Sequence, residues 1–304
     1  MNGEQKILSS QKSPHTYCRR VKKRITGTYP VMFVEDFCEG FSYDLSPDIK
    51  TSELFYKIVP ENDVLMTYLN FEDNLFLEYA MDKIISNIMQ TMLWYSKAYM
   101  EVVTFKNSEE DPKGIAFKLF NPIVSIKSLN KTYFLAIQQN NRIKLFSVDN
   151  NSLVIFKLKD MHYSKRYFKR LFKKLRKCDL TLTTDLVLSN TKTGFDYDIY
   201  RKKNDFNLLK STRKIFWNIH GIDNQYLGDS YMLYRKAKFK MIKKDYLQYI
   251  LHQMNLALEK HKEEMKFEGK ICANYNNINY VEQFEKMQNG EINISQFCKI
   301  VLGI

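Results

Sequence analysis

Phosphate binding is the chemistry that residue types and spacing favour in this sequence. Between Lys157 and Lys177 stand ten Lys or Arg against a single acid, Asp160. Lys165, Arg166, Lys169, Arg170, Lys173 and Lys174 recur as pairs four residues apart, so on a helix they share one face. Phe168, Leu171, Phe172 and Leu175 fall at i, i+3, i+4 and i+7 on the opposite face. A cationic face of this kind lies along a nucleic-acid backbone, rests on an acidic membrane surface, or is simply solvated. Arg235, Lys236 and Lys240, within the basic stretch Arg235 to Lys244, form a second candidate group. Arg19, Arg20, Lys22, Lys23 and Arg24 form a third, in an N-terminal arm whose cations read more simply as solvated.

Groups suited to catalysis or metal binding are sparse. His15, His162, His220, His252 and His261 do not stand at metal-ligand spacing from one another or from cysteine, and a face of His252 with Asn255 or Glu259 lacks a second ligand pair. Cys18, Cys38, Cys178, Cys272 and Cys298 are odd in number, scattered and without a Cys-x-x-Cys pair, which is the pattern of reduced structural thiols. Ten Gly and six Pro in 304 residues leave no Gly-rich phosphate loop, which argues against P-loop and dinucleotide folds. Two E-x-K triplets, Glu264-Met265-Lys266 and Glu268-Gly269-Lys270, follow Asp245, but restriction-type nucleases carry this triplet on a core strand after an acidic strand residue. No catalytic residue, metal or cofactor is expected.

The elements that would position these residues begin with Phe71 to Val103. Apolar residues at Leu75, Tyr79, Ile84, Ile88, Met92 and Tyr95 predict a long helix, and AYMEVVTF from Ala98 predicts a strand directly after it. The polar turn NSEEDPKG and the run Ile115 to Phe120 predict a hairpin. Further strands are expected at Ile123 to Lys127, Tyr133 to Gln138, Arg142 to Val148 and Leu153 to Leu158. Upstream, Val31 onward reads as a short strand broken at Gly40, and a short helix is expected between Pro47 and Pro60. The basic helix starts after Ser164, a suitable N-cap, and ends at Cys178 and Asp179. Extended runs are expected over 181–210, a helix from Phe206 to His220, and a second long helix from Ser230 to about Lys266. That helix reads as charged in its N-terminal half and as core around Tyr246, Ile250, Met254 and Leu258. A strand over Phe267 to Ala273 and one or two short helices complete the chain.

The class expected is α+β: an antiparallel strand meander packed on a long helix, followed by a mostly helical C-terminal half. The corresponding blocks are a basic arm over 1–28, an α+β domain over 29–160 and a mostly helical basic region over 161–304. Forty-four per cent hydrophobic and 14% aromatic residues suffice for a real core. No apolar run approaches the ~20 residues that span a bilayer, and the first twenty residues lack the apolar core of a secretory signal, so a cytoplasmic protein is expected. A net charge of +13 points to a polyanionic partner, although Lys and Asn enrichment can also reflect genomic base composition.

Two resemblances to known families follow. Arg213 and His220 in TRKIFWNIH are similar in spacing to the Arg-x4-6-His motif of the HEPN ribonucleases, which implies RNA cleavage by two such motifs meeting across a dimer. Residues 65–160 resemble the wing region of tailed-phage portal proteins. There a helix ends in a YGxAY-like turn, and a hairpin, a Leu-x-Pro phrase and a further strand follow. Tyr95-Ser96-Lys97-Ala98-Tyr99 carries the first phrase, with Ser96 where the family usually has Gly, and Phe120-Asn121-Pro122 carries the second. This resemblance implies a non-enzymatic ring of subunits in a virion, associated with DNA rather than RNA. The alternative is a basic nucleic-acid-binding module that forms no ring.

Overall fold

The computed structural model describes residues 27–45, 54–61, 69, 74–106, 113–137, 143–189, 197–217, 229–274 and 279–302. In chain order the elements are α1 (Thr28–Cys38), α2 (Phe41–Leu45), β1 (Tyr56–Val59), α3 (Asn74–Tyr95), β2 (Lys97–Lys106) and β3 (Lys113–Phe120). Next come β4 (Val124–Lys127), β5 (Lys131–Ile137), β6 (Ile143–Asp149), β7 (Leu153–Lys157) and a 3-10 turn (Leu158–Asp160). Last come α4 (Lys165–Ser189), α5 (Tyr197–Thr212), α6 (Asp229–Met265), β8 (Lys270–Ala273), α7 (Tyr280–Gln288) and α8 (Ile294–Leu302). The class is α+β with antiparallel sheets and a helical C-terminal half.

The chain divides into two compact units, each discontinuous in sequence. The first takes its described residues from 54–165 and 247–274, the second from 27–45, 166–246 and 279–302. Every described strand falls in the first unit, and the described part of the second is helical. The units interleave instead of following the expected blocks 29–160 and 161–304, because α6 supplies core residues to both: Ala237 and Ile242 to the second, Ile250, Met254 and Leu258 to the first.

In the first unit α3 buries Leu77, Met81, Ile85, Ile88, Met89 and Met92, spaced at three and four. This stripe is rotated from the expected one: Tyr79 is exposed because it stands two residues off the Leu77 and Met81 row. The helix stops at Ser96, whose φ of 68° lies in the left-handed region, and β2 begins at once. Strand β2 pairs antiparallel with β3 on one side and with β7 on the other, with Tyr99 opposite Phe120 and Ala98 opposite Phe156. Strands β4, β5 and β6 form a separate meander. The expected single meander is thus two three-stranded sheets, because β7 returns to β2 instead of continuing beside β6. Tyr99, Phe120, Phe134 and Val148 fill the space between them, with the Phe120 and Phe134 rings 4.9 Å apart. The β1–β8 ladder is held by polar contacts to the helices. Tyr56 donates to Asp82 Oδ1 (2.8 Å), and Asn255 both accepts from Ile271 N–H (2.9 Å) and donates to its carbonyl (2.7 Å).

Several expectations are corrected. Val31 onward is helix, not strand: Phe33, Val34, Phe37 and Cys38 bury one side, so helical period overrides the β-branched and aromatic composition. Gly40, at φ 63°, does end that segment. The stretch before Pro60 is strand β1, with burial alternating along Tyr56–Val59, not a short helix. Helix α4 continues past Asp179 to Ser189, and the helix expected from Phe206 begins earlier, at Tyr197, where extended runs were expected.

Candidate nucleic-acid interface

Helix α4 is fixed in the second unit by its apolar face. Phe168, Leu171, Phe172 and Leu175 are buried, and the Phe33 ring of α1 meets Phe172 edge-on at 5.9 Å and Phe168 at 6.4 Å. Phe33 also meets Trp217 edge-on at 5.4 Å. Further along α4, Asp179 accepts the N–H of Tyr29 (3.1 Å) in the first turn of α1, a carboxylate on a helix N-terminus. Burial raises the Asp179 pKa, and the backbone N–H groups of Tyr29 and Thr28 oppose the rise. Gly27 makes room for this contact: a Cβ there would stand 2.3 Å from Asp179 Oδ2, and its φ is +113°.

With one face locked, the other is displayed. Lys165, Arg166, Lys169, Arg170, Lys173 and Lys174 are all exposed, and among the described residues none of the six is ion-paired. Lys165 to Lys174 covers about 13 Å of helix at ~1.5 Å per residue. Duplex DNA presents roughly eight phosphate charges over the same length. Exposed cations in such a row are of the kind that meets phosphates, a contact that carries no sequence information by itself.

The second group of expected contacts divides. Arg235 is corrected: it is fully buried, and its Nη2 donates to Thr212 Oγ1 (2.9 Å) and the Trp217 carbonyl (2.7 Å) where α5 ends. It serves as an internal cap, and burial lowers its pKa. Lys236 is exposed. Lys240 is half-buried, and its pKa is lowered first by burial and further by Lys236 and Lys244, with Asp44 opposing. Lys236, Lys240 and Lys244 thus stand as a row of like charges on successive turns of α6, a different helix from α4.

Sequence reasoning missed Lys243. It is fully buried over the Phe41 ring and donates to the carbonyls of Asp36 (2.8 Å) and Glu39 (2.7 Å) at the C-terminal end of α1, and to the Asp44 carboxylate. A signal was present. Stepping back from Tyr246 by three and four residues along the apolar stripe reaches Lys243, Phe239, Arg235 and Met232. Both cations lie in the core register, each near the negative end of a helix.

Among the described residues the remaining candidates are not assembled into a site. Arg213 lies in a turn after α5, so the helix expected from Phe206 to His220 stops at Thr212; His220 lies outside the described residues. His252 and His162 are exposed, and Asn255 is committed to β8. Lys270 is in β8 with its side chain exposed, as is that of Glu268. Among the described residues no group of three His, Cys, Asp or Glu could hold a metal ion. Cys38, Cys178, Cys272 and Cys298 are free thiols; Cys18, His15 and the arm at Arg19 to Arg24 lie outside the described residues. No described helix is long and apolar enough to cross a membrane. No protein-family model matches the chain, and comparison with curated proteins finds no match.

Proposed function

We propose that this chain is a non-enzymatic, portal-like assembly protein that associates with DNA as a ring of subunits. The observation that supports this reading is the joint between α3 and β2. Ser96 occupies the place where the portal wing usually carries Gly, and its φ of 68° is the conformation for which Gly is suited. The long helix, the joint, the β2–β3 hairpin and the buried Asn121-Pro122 that follows it stand in the order of that wing. In this reading the α4 cations hold phosphates in place without reading sequence. Sedimentation of the full chain over a range of concentrations tests it: a closed ring of many subunits is expected, and a monomer at every concentration overturns it.

A second reading, a basic nucleic-acid-binding module that forms no ring, is favoured by the six unpaired cations of α4. A monomer whose DNA affinity falls steeply with salt would select it.

A further inference from the structure

The β4–β5–β6 sheet has two unlike faces. By register, Phe134 lies beside Ser125 and Phe146 on the inner face, and Phe134, Ala136 and Val148 there are buried. The outer face places Val124 beside Leu135 and Leu145, and Ile126 beside Tyr133 and Ser147, with Ile143 completing the β6 side. An antiparallel sheet with one solvated face ordinarily turns polar residues outward. Here Val124, Ile126, Tyr133, Ile143 and Leu145 are 43–67% exposed, and these rows contain no charged residue. The next row, Lys131 opposite Asp149, sums to zero.

At the end of this sheet Leu129 is 95% exposed on the β4–β5 turn. The turn is held from outside. Asn150 Nδ2 donates to the carbonyls of Ser128 (3.0 Å) and Leu129 (2.9 Å), Asn150 Oδ1 accepts from Thr132 Oγ1 (2.6 Å), and Asn150 N–H donates to the Asn130 carbonyl (2.9 Å). An apolar side chain displayed on a fixed backbone loses little freedom when it docks, which is the property of an interface anchor.

We propose that Leu129 and the outer face of β4–β5–β6 form the surface through which one copy of this chain docks on another. The inference rests on the assembly reading for the identity of the partner. At areas of about 150–250 Å² for a large residue, the six residues expose roughly 600–900 Å², at or above the ~300–600 Å² of a typical monomer's largest apolar patch and near the ~800 Å² each partner gives a standard interface. Charge supplies the second argument. Each copy carries +13, so two copies meet at least cost through a surface without net charge.

The test uses the full chain and the double variant Leu129→Asp with Leu145→Lys, both at exposed positions, followed by sedimentation equilibrium and thermal melting. The parent is expected to associate, and the variant to associate about 100-fold more weakly with an unchanged melting transition. Equal association of parent and variant overturns this surface and leaves the assembly reading standing. A parent that is monomeric at every concentration overturns both. If the double variant melts early, Leu129→Cys carries the test, because that turn position packs on nothing. Its thiol is expected to react with a maleimide about tenfold more slowly in the assembly than after dilution to monomer, and equal rates overturn the proposal.

Discussion

Replacing Arg170, Lys173 and Lys174 together with Gln tests whether the α4 face binds a polyanion. Six exposed, unpaired cations line that face. If all six meet duplex phosphates, each adds about 0.9 to the log–log salt slope, giving a total of about five. Raising salt from about 50 to 200 mM then weakens parent binding roughly 2,000-fold, and binding of the triple variant roughly 40-fold. On single strands, at about 0.7 per contact, the parent slope is about four. Fluorescence anisotropy with two oligonucleotides of unrelated sequence reads both the slope and its independence of sequence. The fold should survive, since exposed unpaired positions change stability by about 0.5 kcal/mol or less. An unchanged slope in a variant that melts normally would refute the reasoning and leave this face as solvated surface. Arg235→Gln is the internal control: it should lower the melting temperature, because Arg235 is a buried cap, and leave the slope of the remaining folded protein unaltered.

Three further outcomes follow from the packing. Ala98 is fully buried opposite Phe156, so Ala98→Leu should cost about 1–3 kcal/mol through overpacking, read as a lowered denaturant midpoint; an unchanged midpoint counts against the tight joint. Gly27→Ala should cost a similar ~1–3 kcal/mol, because its Cβ meets Asp179 and its φ is positive; a shift that persists equally in Asp179→Ala would show that backbone strain alone is responsible. Glu101 has its pKa raised, chiefly by burial, with Lys118 opposing. Its folded form therefore holds a proton that the unfolded chain has already lost, and the stability it contributes falls as pH rises through the carboxylate range and above it. Glu101→Gln should flatten that fall in a urea titration series from pH 4 to 7, and an equal pH dependence in both proteins would remove Glu101 as the cause.

The strands were legible because each is short, bounded by polar turns and rich in β-branched or aromatic residues: β2 through β7 lie within a few residues of expectation. Pairing was not legible, since nothing in Leu153 to Lys157 distinguishes a neighbour of β6 from a neighbour of β2. Helix α1 was hidden because Val31, Phe33 and Val34 carry strand propensity, and only the later Phe37 and Cys38 complete a helical period. The α4 stripe was legible because its two faces differ completely in charge. Arg235 and Lys243 were not, because what decides their burial is the end of another helix, which lies elsewhere in the sequence.

The return of β7 to β2 has a consequence for how this chain can vary. Phe120 leaves β3 opposite Tyr99, and Leu153 enters β7 opposite Glu101, so the two ends flank one strand and stand about 12 Å apart at ~4.8 Å per strand spacing and ~3.3 Å per residue. Everything from Asn121 to Ser152 enters and leaves across that gap. In evolutionary terms it is a cassette: its strands and turns can lengthen or shorten while β3, β2 and β7 keep their hydrogen bonds. Its inner residues, Phe134 and Phe146, are the part bound to the host, through Tyr99 and Phe120. Differences in length among chains built on this plan should therefore collect in the turns of the insert, with aromatic residues held constant on its inner face.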